Sequence, residues 1–466
     1  MSFVILTEHS CGYLTVLEDR SKPEGRTIRL FVIRVRPPGG STTPDPMLHG
    51  GVELATTADY GGIAPLAQRT HRELIILDQR GAAHSQPSLA CPEVRAVAEQ
   101  LIGAPMSEPS ARAGLRSAAS DCYDRLVREG IDPAAYTLEA AAADIEDLRR
   151  TLGIDRWNIQ VHGTASRIVL ESMRRFPKRI RSVVLDTPQF PQLDGLTAAP
   201  DDLHDAMHRL SAVCAEQVRC HEAFPELVDA FDEAAARLQG HPVTVRVEKD
   251  RSGLDHPVDV VVDGAAFVRG VRVMLSDQDL GGAPLVPAAV HAALDGDVRL
   301  VARFLAEDPG WCVGYLPKCE RYDFSEGTYY SFVCHDEVPF IDEARLDKTS
   351  AGNPGIAEAY GRSPMLDVCD VWPVGAADAT AQRPMSSDIP ALILYGAFDA
   401  YSPRALAETG AGLTSAFPVS FPFNGHNMLA FDCPRRLRNG WVDDPASPPD
   451  TSCIDDEMPA PHFEVA

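Results

Sequence analysis

Four short apolar runs, each closing on a polar or small residue, constrain this chain more than any other feature. They are Leu74-Ile75-Ile76-Leu77-Asp78, Trp157-Asn158-Ile159-Gln160-Val161-His162, Ser182-Val183-Val184-Leu185-Asp186 and Ala391-Leu392-Ile393-Leu394-Tyr395-Gly396. Strands this apolar on both faces cannot lie at a surface, so they belong to a parallel sheet covered above and below. Helical patterns separate them. Apolar residues at 138, 141, 145, 148 and 152 keep a helical period, with Thr137 as cap, Glu139 in the first turn and Gly153 as the stop. A second helix runs from Ala165 to Phe176. Residues 28–36, IRLFVIRVR, read as one more strand, and Met47 to Gly51 as a short buried one after a Pro/Gly-rich loop. The alternation predicts an α/β fold with a mostly parallel sheet and helices on both faces.

The alternation stops between about 190 and 385. Ala-rich helical stretches such as Leu203 to Leu238 replace it, and a turn-rich segment at 309–340 carries Trp311, Tyr322, Phe324, Tyr329, Tyr330 and Phe332. The chain is therefore expected to divide into a core, 1–189 and 386–466, and a large, mainly helical lid at 190–385. With 466 residues, 45% of them hydrophobic, the apolar content suffices for a core of that size.

Charge and cysteine content narrow the setting. There are 67 acidic against 43 basic residues, a net charge of -24, and no dense Lys/Arg cluster to offset it. Such a surface repels nucleic acid and anionic membranes, which leaves a small-molecule substrate, neutral or cationic, as the expected partner. No apolar run approaches the ~20 residues of a membrane span. The opening Met1-Ser2-Phe3-Val4-Ile5-Leu6 lacks the features of a secretory signal, so a cytoplasmic location is expected, or an extracellular one if the chain is a processed form. Eleven cysteines are many for a reducing compartment, and the number is odd. None forms a CxxC pair, and neither a metal nor a cofactor is expected.

Chemistry gathers at three loops. The strand 157–162 turns sharply into the next helix through Val161-His162-Gly163-Thr164-Ala165. An acid, Asp399, lies in GAFDAYSP just past the strand 391–395, and a base, His426, lies in NGHNM near the end. Turn residue, acid and base occur in the order found in α/β-hydrolases, where small flanking residues permit the strained turn.

The matching stretches go further: LHGG at 48–51, LDQRGAAHSQPSLAC at 77–91, WNIQVHGTASRIVLESMRRFP at 157–177, RSVVLDT at 181–187, IPALILYGAFDAYSP at 389–403, GHN at 425–427 and DTSC at 450–453. From about Cys11 to Cys453 the chain resembles the prolyl and tripeptidyl aminopeptidase-like branch of the α/β-hydrolases. The resemblance implies that fold and disulfides Cys91–Cys122, Cys214–Cys220 and Cys433–Cys453. It also brings three departures into view. Where the branch reads G-G-S-Y-G, this chain has Gly163 at the nucleophile position. Where the branch reads GGPG, it has Gly50-Gly51-Val52-Glu53, so Gly51, Val52 and Glu53, with Thr164, make an altered oxyanion and substrate loop. Ala83 replaces a glycine of the DxRGxGxS loop.

Glycine has no side chain to attack an acyl carbon. His426 oriented by Asp399 is then expected to move protons without a covalent intermediate, in carbon-carbon bond formation, cyclisation or elimination. By fold-level analogy with nucleophile-deficient members, the setting is secondary-metabolite biosynthesis of polyketide type. Two other readings remain open: a residual peptidase or esterase using Thr164 or an activated water, and a catalytically dead ligand-binding protein. His162 and Ser166 read as structural. Asp336 and Glu337 read as solvated, and the aromatic residues of 311–332 as lid packing or a lid pocket.

Overall fold

The computed structural model describes residues 8–50, 60–105, 108–192, 195–248, 256–276, 281–307, 324–361, 364–401 and 412–465. Its strands are β1 (Glu8–Leu17), β2 (Thr27–Arg36), β3 (Met47–Gly50), β4 (Leu74–Leu77), β5 (Trp157–His162), β6 (Ile180–Asp186), β7 (Val243–Val247), β8 (Val258–Val262), β9 (Ala391–Gly396) and β10 (Ala416–Phe421). Eight form one sheet in the order β1-β2-β4-β3-β5-β6-β9-β10. The six strands from β4 to β10 in that order are parallel, whereas β2 runs antiparallel to β4 and β1 antiparallel to β2.

Alternation along each strand divides the core in two, because successive side chains point to opposite faces. Ile75, Leu77, Ile159, Val161, Val183, Leu185 and Ile393 pack on one face. Leu74, Ile76, Val184, Leu392 and Leu394 pack on the other, against the helix Asp432–Asp443. Both sets are essentially without solvent exposure, which is why the runs looked uniformly apolar. The helix Leu138–Thr151 begins as its sequence predicts: Thr137 accepts a hydrogen bond from the Ala140 amide at 3.2 Å, and Gly153 takes the left-handed φ of +67°.

Edge strands carry weaker patterns. In β1 the first six residues are exposed and only Leu14, Val16 and Leu17 turn inward, so it offers no apolar run. At the opposite edge β10 contains Pro418, which lacks an N–H and is tolerated where one side of the ladder is unpaired.

Between β6 and β9 the chain builds helices and a separate antiparallel pair, β7 with β8. The stretch Leu203 to Leu238 is not one helix. It breaks into Gly195–Ala215, Val218–Ala223 and Leu227–Gly240, with the Cys214–Cys220 disulfide across the first break and Glu226, at φ +48°, entering the third. The pairs Cys91–Cys122 and Cys433–Cys453 form as well, and Cys334–Cys369 joins them unforeseen. Cys11 is free and exposed, while Cys312 and Cys319 lie outside the described residues. No helix among the described residues is long and apolar enough to cross a membrane.

Candidate active site

The parallel strands deliver their C-terminal ends to one edge, and three loops meet there. After β5 comes Gly163, held at φ +54° with its N–H donating to the Asp186 carbonyl at 2.9 Å. An L side chain at that φ is strained. The helix Ala165–Arg175 starts two residues later, so the turn has almost no slack. Thr164 is half-buried and its side chain caps no amide. Ser166 is fully buried, 2.7 Å from the Gly163 carbonyl and 3.0 Å from that of Gln189, and accepts from the Gln189 amide. Ser166 is thus structural, as its place in the first turn predicts.

Loops after β9 and β10 supply the ionisable groups. His426 Nδ1 lies 3.0 Å from Asp399 Oδ2, and the other carboxylate oxygen accepts from the Tyr401 amide at 2.8 Å. Asp399 is fully buried. With Nδ1 engaged, Nε2 faces the turn after β5: a Cβ placed on Gly163 would lie 3.5 Å from it, an ordinary van der Waals distance. The structure therefore brings Gly163, Asp399 and His426 together.

Two residues that carry no motif hold this arrangement. Ser276, the last residue of the helix Gly264–Ser276, accepts the His426 amide on its carbonyl at 2.9 Å and the Ala400 amide on its hydroxyl at 3.3 Å. One buried serine thus ties the base loop to the acid loop. Asp186, at the end of β6, accepts the Met428 and Leu429 amides at 2.9 and 3.0 Å, just past Asn427 in a left-handed turn. The apolar-run-plus-Asp ending of β6 was visible in the sequence. Ser276 gave no such signal, since it lies in the insertion, far from any motif.

The electrostatics follow from burial. Burial by itself weakens proton binding at His426, but the charge and hydrogen bond of Asp399, with the charge of Asp186, outweigh it, and the pKa rises above the usual histidine value. Asp186 is pushed up to about 6, chiefly by burial, against the pull of its two amide bonds. His162, edge-on to His426 at 4.6 Å between ring centroids, is driven well below the usual range by burial and by the charges of His426 and His49. It stays neutral, and its Nε2 has no hydrogen-bond partner among the described residues.

Other expectations change. Phe324, Tyr330 and Phe332 are buried: Tyr330 meets the edge of Trp372, and Phe332 lies beneath the Arg167 guanidinium. Phe324 and Tyr330 are packing residues, Phe332 lines a small pocket with Arg80, Tyr136 and Ile168, and Tyr329 is half-buried. Trp311 and Tyr322 lie outside the described residues, as do Gly51, Val52 and Glu53. Asp336 and Glu337 are not solvated. Asp336 is buried against the Leu138 amide and His335, and Glu337 pairs with Arg167 at 2.6 Å. A like-charged surface could not hold them, but a long-range arginine does. Ala83 sits at φ +47°, the left-handed conformation that its glycine-type loop demands.

Known proteins resemble this chain in the same terms. The family described as alpha/beta hydrolase fold matches residues 47–209. The serine protease Hip1 of Mycobacterium tuberculosis is 27% identical over 394 residues, 78% of this chain and 71% of that protein. The tripeptidyl aminopeptidase of Streptomyces lividans is 29% identical over 198 residues, 40% of this chain and 36% of that protein. Among solved structures, a proline iminopeptidase from Mycobacterium smegmatis covers 93% of this chain and 99% of its own at 14% identity, with a TM-score of 0.38. Strand order, crossover pattern and family match agree: the chain has the α/β-hydrolase fold.

Proposed function

Starting from an α/β-hydrolase-fold chain with glycine at the turn after β5, we propose a non-hydrolytic enzyme in which His426, oriented by Asp399, moves a proton on a small-molecule substrate. The observation that carries this reading is the approach of His426 Nε2 to Gly163, 3.5 Å from where a Cβ would stand. A base oriented by a buried carboxylate faces a backbone with no group to activate. Its proton must then come from the substrate or from a water in the space beside the glycine.

The chemistry follows from that. His426 takes a proton from an acidic C–H or O–H, and the resulting enolate or phenolate either adds to a carbonyl carbon of the substrate, breaking its C=O π bond to give an alkoxide, or expels a β-leaving group as its anion. His426 then returns the proton to that alkoxide or leaving group. The amide of Thr164, at the start of the helix Ala165–Arg175, supplies a donor for the developing oxyanion. Carbon-carbon bond formation, cyclisation or elimination on a polyketide-type scaffold meets these requirements, because such substrates carry their own acidic positions. The four disulfides among the described residues favour the extracellular alternative for location, since such bonds persist in oxidising compartments.

Hydrolysis is the second reading, favoured by the protease and aminopeptidase names of the relatives. It requires an activated water or Thr164, whose hydroxyl lies one residue out of register. Turnover by His426→Ala separates acid/base catalysis from a dead binding protein. General-base catalysis is worth roughly 10²–10⁴-fold. A loss of that size on a substrate found by screening activated polyketide-type esters and ketones is the expected result. Unchanged turnover removes the proposal, and hydrolysis of aminoacyl p-nitroanilides by the native chain restores the second reading.

A further inference from the structure

From Arg269 to Ser276 the helix Gly264–Ser276 is buried except at Arg269 and Arg272, which share a face one turn apart. Arg269 is engaged with the Ala359 carbonyl at 3.3 Å. Arg272 is placed differently. Its Nε donates to the Ala400 carbonyl at 3.2 Å, next to the acid, and its guanidinium carbon stands 3.8 Å above the Tyr401 ring. Tyr401 in turn packs on His426, with 5.2 Å between centroids. The order Arg272, Tyr401, His426 makes a continuous wall.

The Arg272 end of this wall is incompletely satisfied among the described residues. Asp202 and Asp399 are within electrostatic reach of Arg272, but no carboxylate among the described residues is within ion-pair distance, and the Nη groups have no hydrogen-bond partner there. On the other side, 5.7 Å from the guanidinium carbon, lies the ring of Tyr360. Tyr360 is 6% exposed, and its buried hydroxyl has no partner among the described residues. A half-buried guanidinium whose Nη groups, like the neighbouring phenol, find no partner among the described residues is a costly combination unless a ligand completes it.

We propose that Arg272 and Tyr360 form an anion subsite that takes a carboxylate of the substrate and presents the rest of the molecule to His426. A planar guanidinium fork matches two carboxylate oxygens, the phenol adds a donor, and the Tyr401 face seats a conjugated or aromatic frame. The overall charge of -24 argues for a neutral or cationic ligand, but the guanidinium of Arg272 offers a positive charge on this wall. The inference rests on the acid/base reading only for the orientation of the ligand; binding stands apart from it.

Calorimetry of the full chain with benzoate and with benzamide, its neutral isostere, tests the subsite. A charge-assisted pair predicts that benzoate binds about tenfold or more tightly than benzamide. Arg272→Gln should erase the preference, Arg272→Lys should keep part of it, and Tyr360→Phe should weaken benzoate about threefold. Equal binding of the two probes by the native chain overturns the proposal. So does unchanged benzoate affinity in Arg272→Gln or, if that variant fails to fold, in both Arg272→Lys and Tyr360→Phe. His426→Ala should keep the benzoate preference. Retained preference with unimpaired turnover in that variant would sink the acid/base reading and leave the subsite standing.

Discussion

The two sides of the site are furnished unequally. Beyond β9 and β10, every hydrogen bond needed to aim a base is in place: Asp399 on Nδ1, the Tyr401 amide on Asp399, Ser276 across both loops and Asp186 behind the base loop. Beyond β5, the turn keeps its left-handed backbone and its helix start but offers no side chain. Orientation and nucleophilicity are thus separable properties of this fold, because they reside on different loops with different supports. On the function proposed above, this site keeps the first without the second, and its chemistry is that of a positioned proton acceptor and a backbone amide.

The largest effect expected is a change in kind. Gly163→Ser should introduce labelling by a fluorophosphonate probe and hydrolysis of p-nitrophenyl esters where the native chain has neither. The space for a Cβ, though at a strained φ, and the waiting Nε2 are already present. Absence of labelling in a folded variant would mean that the two sides are not in working register.

Asp399→Asn attacks the furnished side. Because Asp399 and Asp186 raise the affinity of His426 for its proton against burial, the variant should lower the His426 pKa, followed by NMR of the ring carbon resonances. A base works deprotonated, so native activity should climb with pH through the raised value. In the variant that limb should shift to lower pH while the maximum falls by about 10²-fold or more. For stability the sign is opposite: the favourable charge of protonated His426 is present below its unfolded pKa and is lost as pH rises through the folded one.

Ser276→Ala is a smaller and more selective cut. It strands the buried Ala400 amide but leaves the carbonyl that receives the His426 amide. A loss of about 1–3 kcal/mol in denaturant unfolding is expected, with hydrogen exchange faster at the acid loop than at the base loop. Equal loosening of both loops would show that Ser276 is not the tie between them. Smallest is Ala83→Gly, which relieves a left-handed alanine and should stabilise the chain by up to about 1 kcal/mol, a rise of about one degree in melting temperature for a chain of this length.

Legibility in the sequence followed the range of the forces involved. Central strands were readable because burial on both faces writes an apolar run into consecutive residues, and Gly163, Asp399 and His426 because each loop keeps a short local motif. The strands β1 and β10 escaped notice since an edge tolerates exposed polar residues and Pro418. Asp336 and Glu337 were misread because their partners, the Leu138 amide and Arg167, lie about 170 residues or more away along the chain. Cys334–Cys369 and the Ser276 tie are contacts of the same sort, set by packing of the insertion rather than by anything local.

The Ser276 tie also bears on modular redesign of this chain. Recombining the sheet of one homologue with the insertion of another exchanges the residue that hydrogen-bonds both the acid and the base loop. Donor insertions would need to be chosen by how their helix ends where Gly264–Ser276 ends, before any consideration of ligand fit. Trimming the segment between β6 and β9 to reach a minimal scaffold would remove the tie between the loops that carry Asp399 and His426.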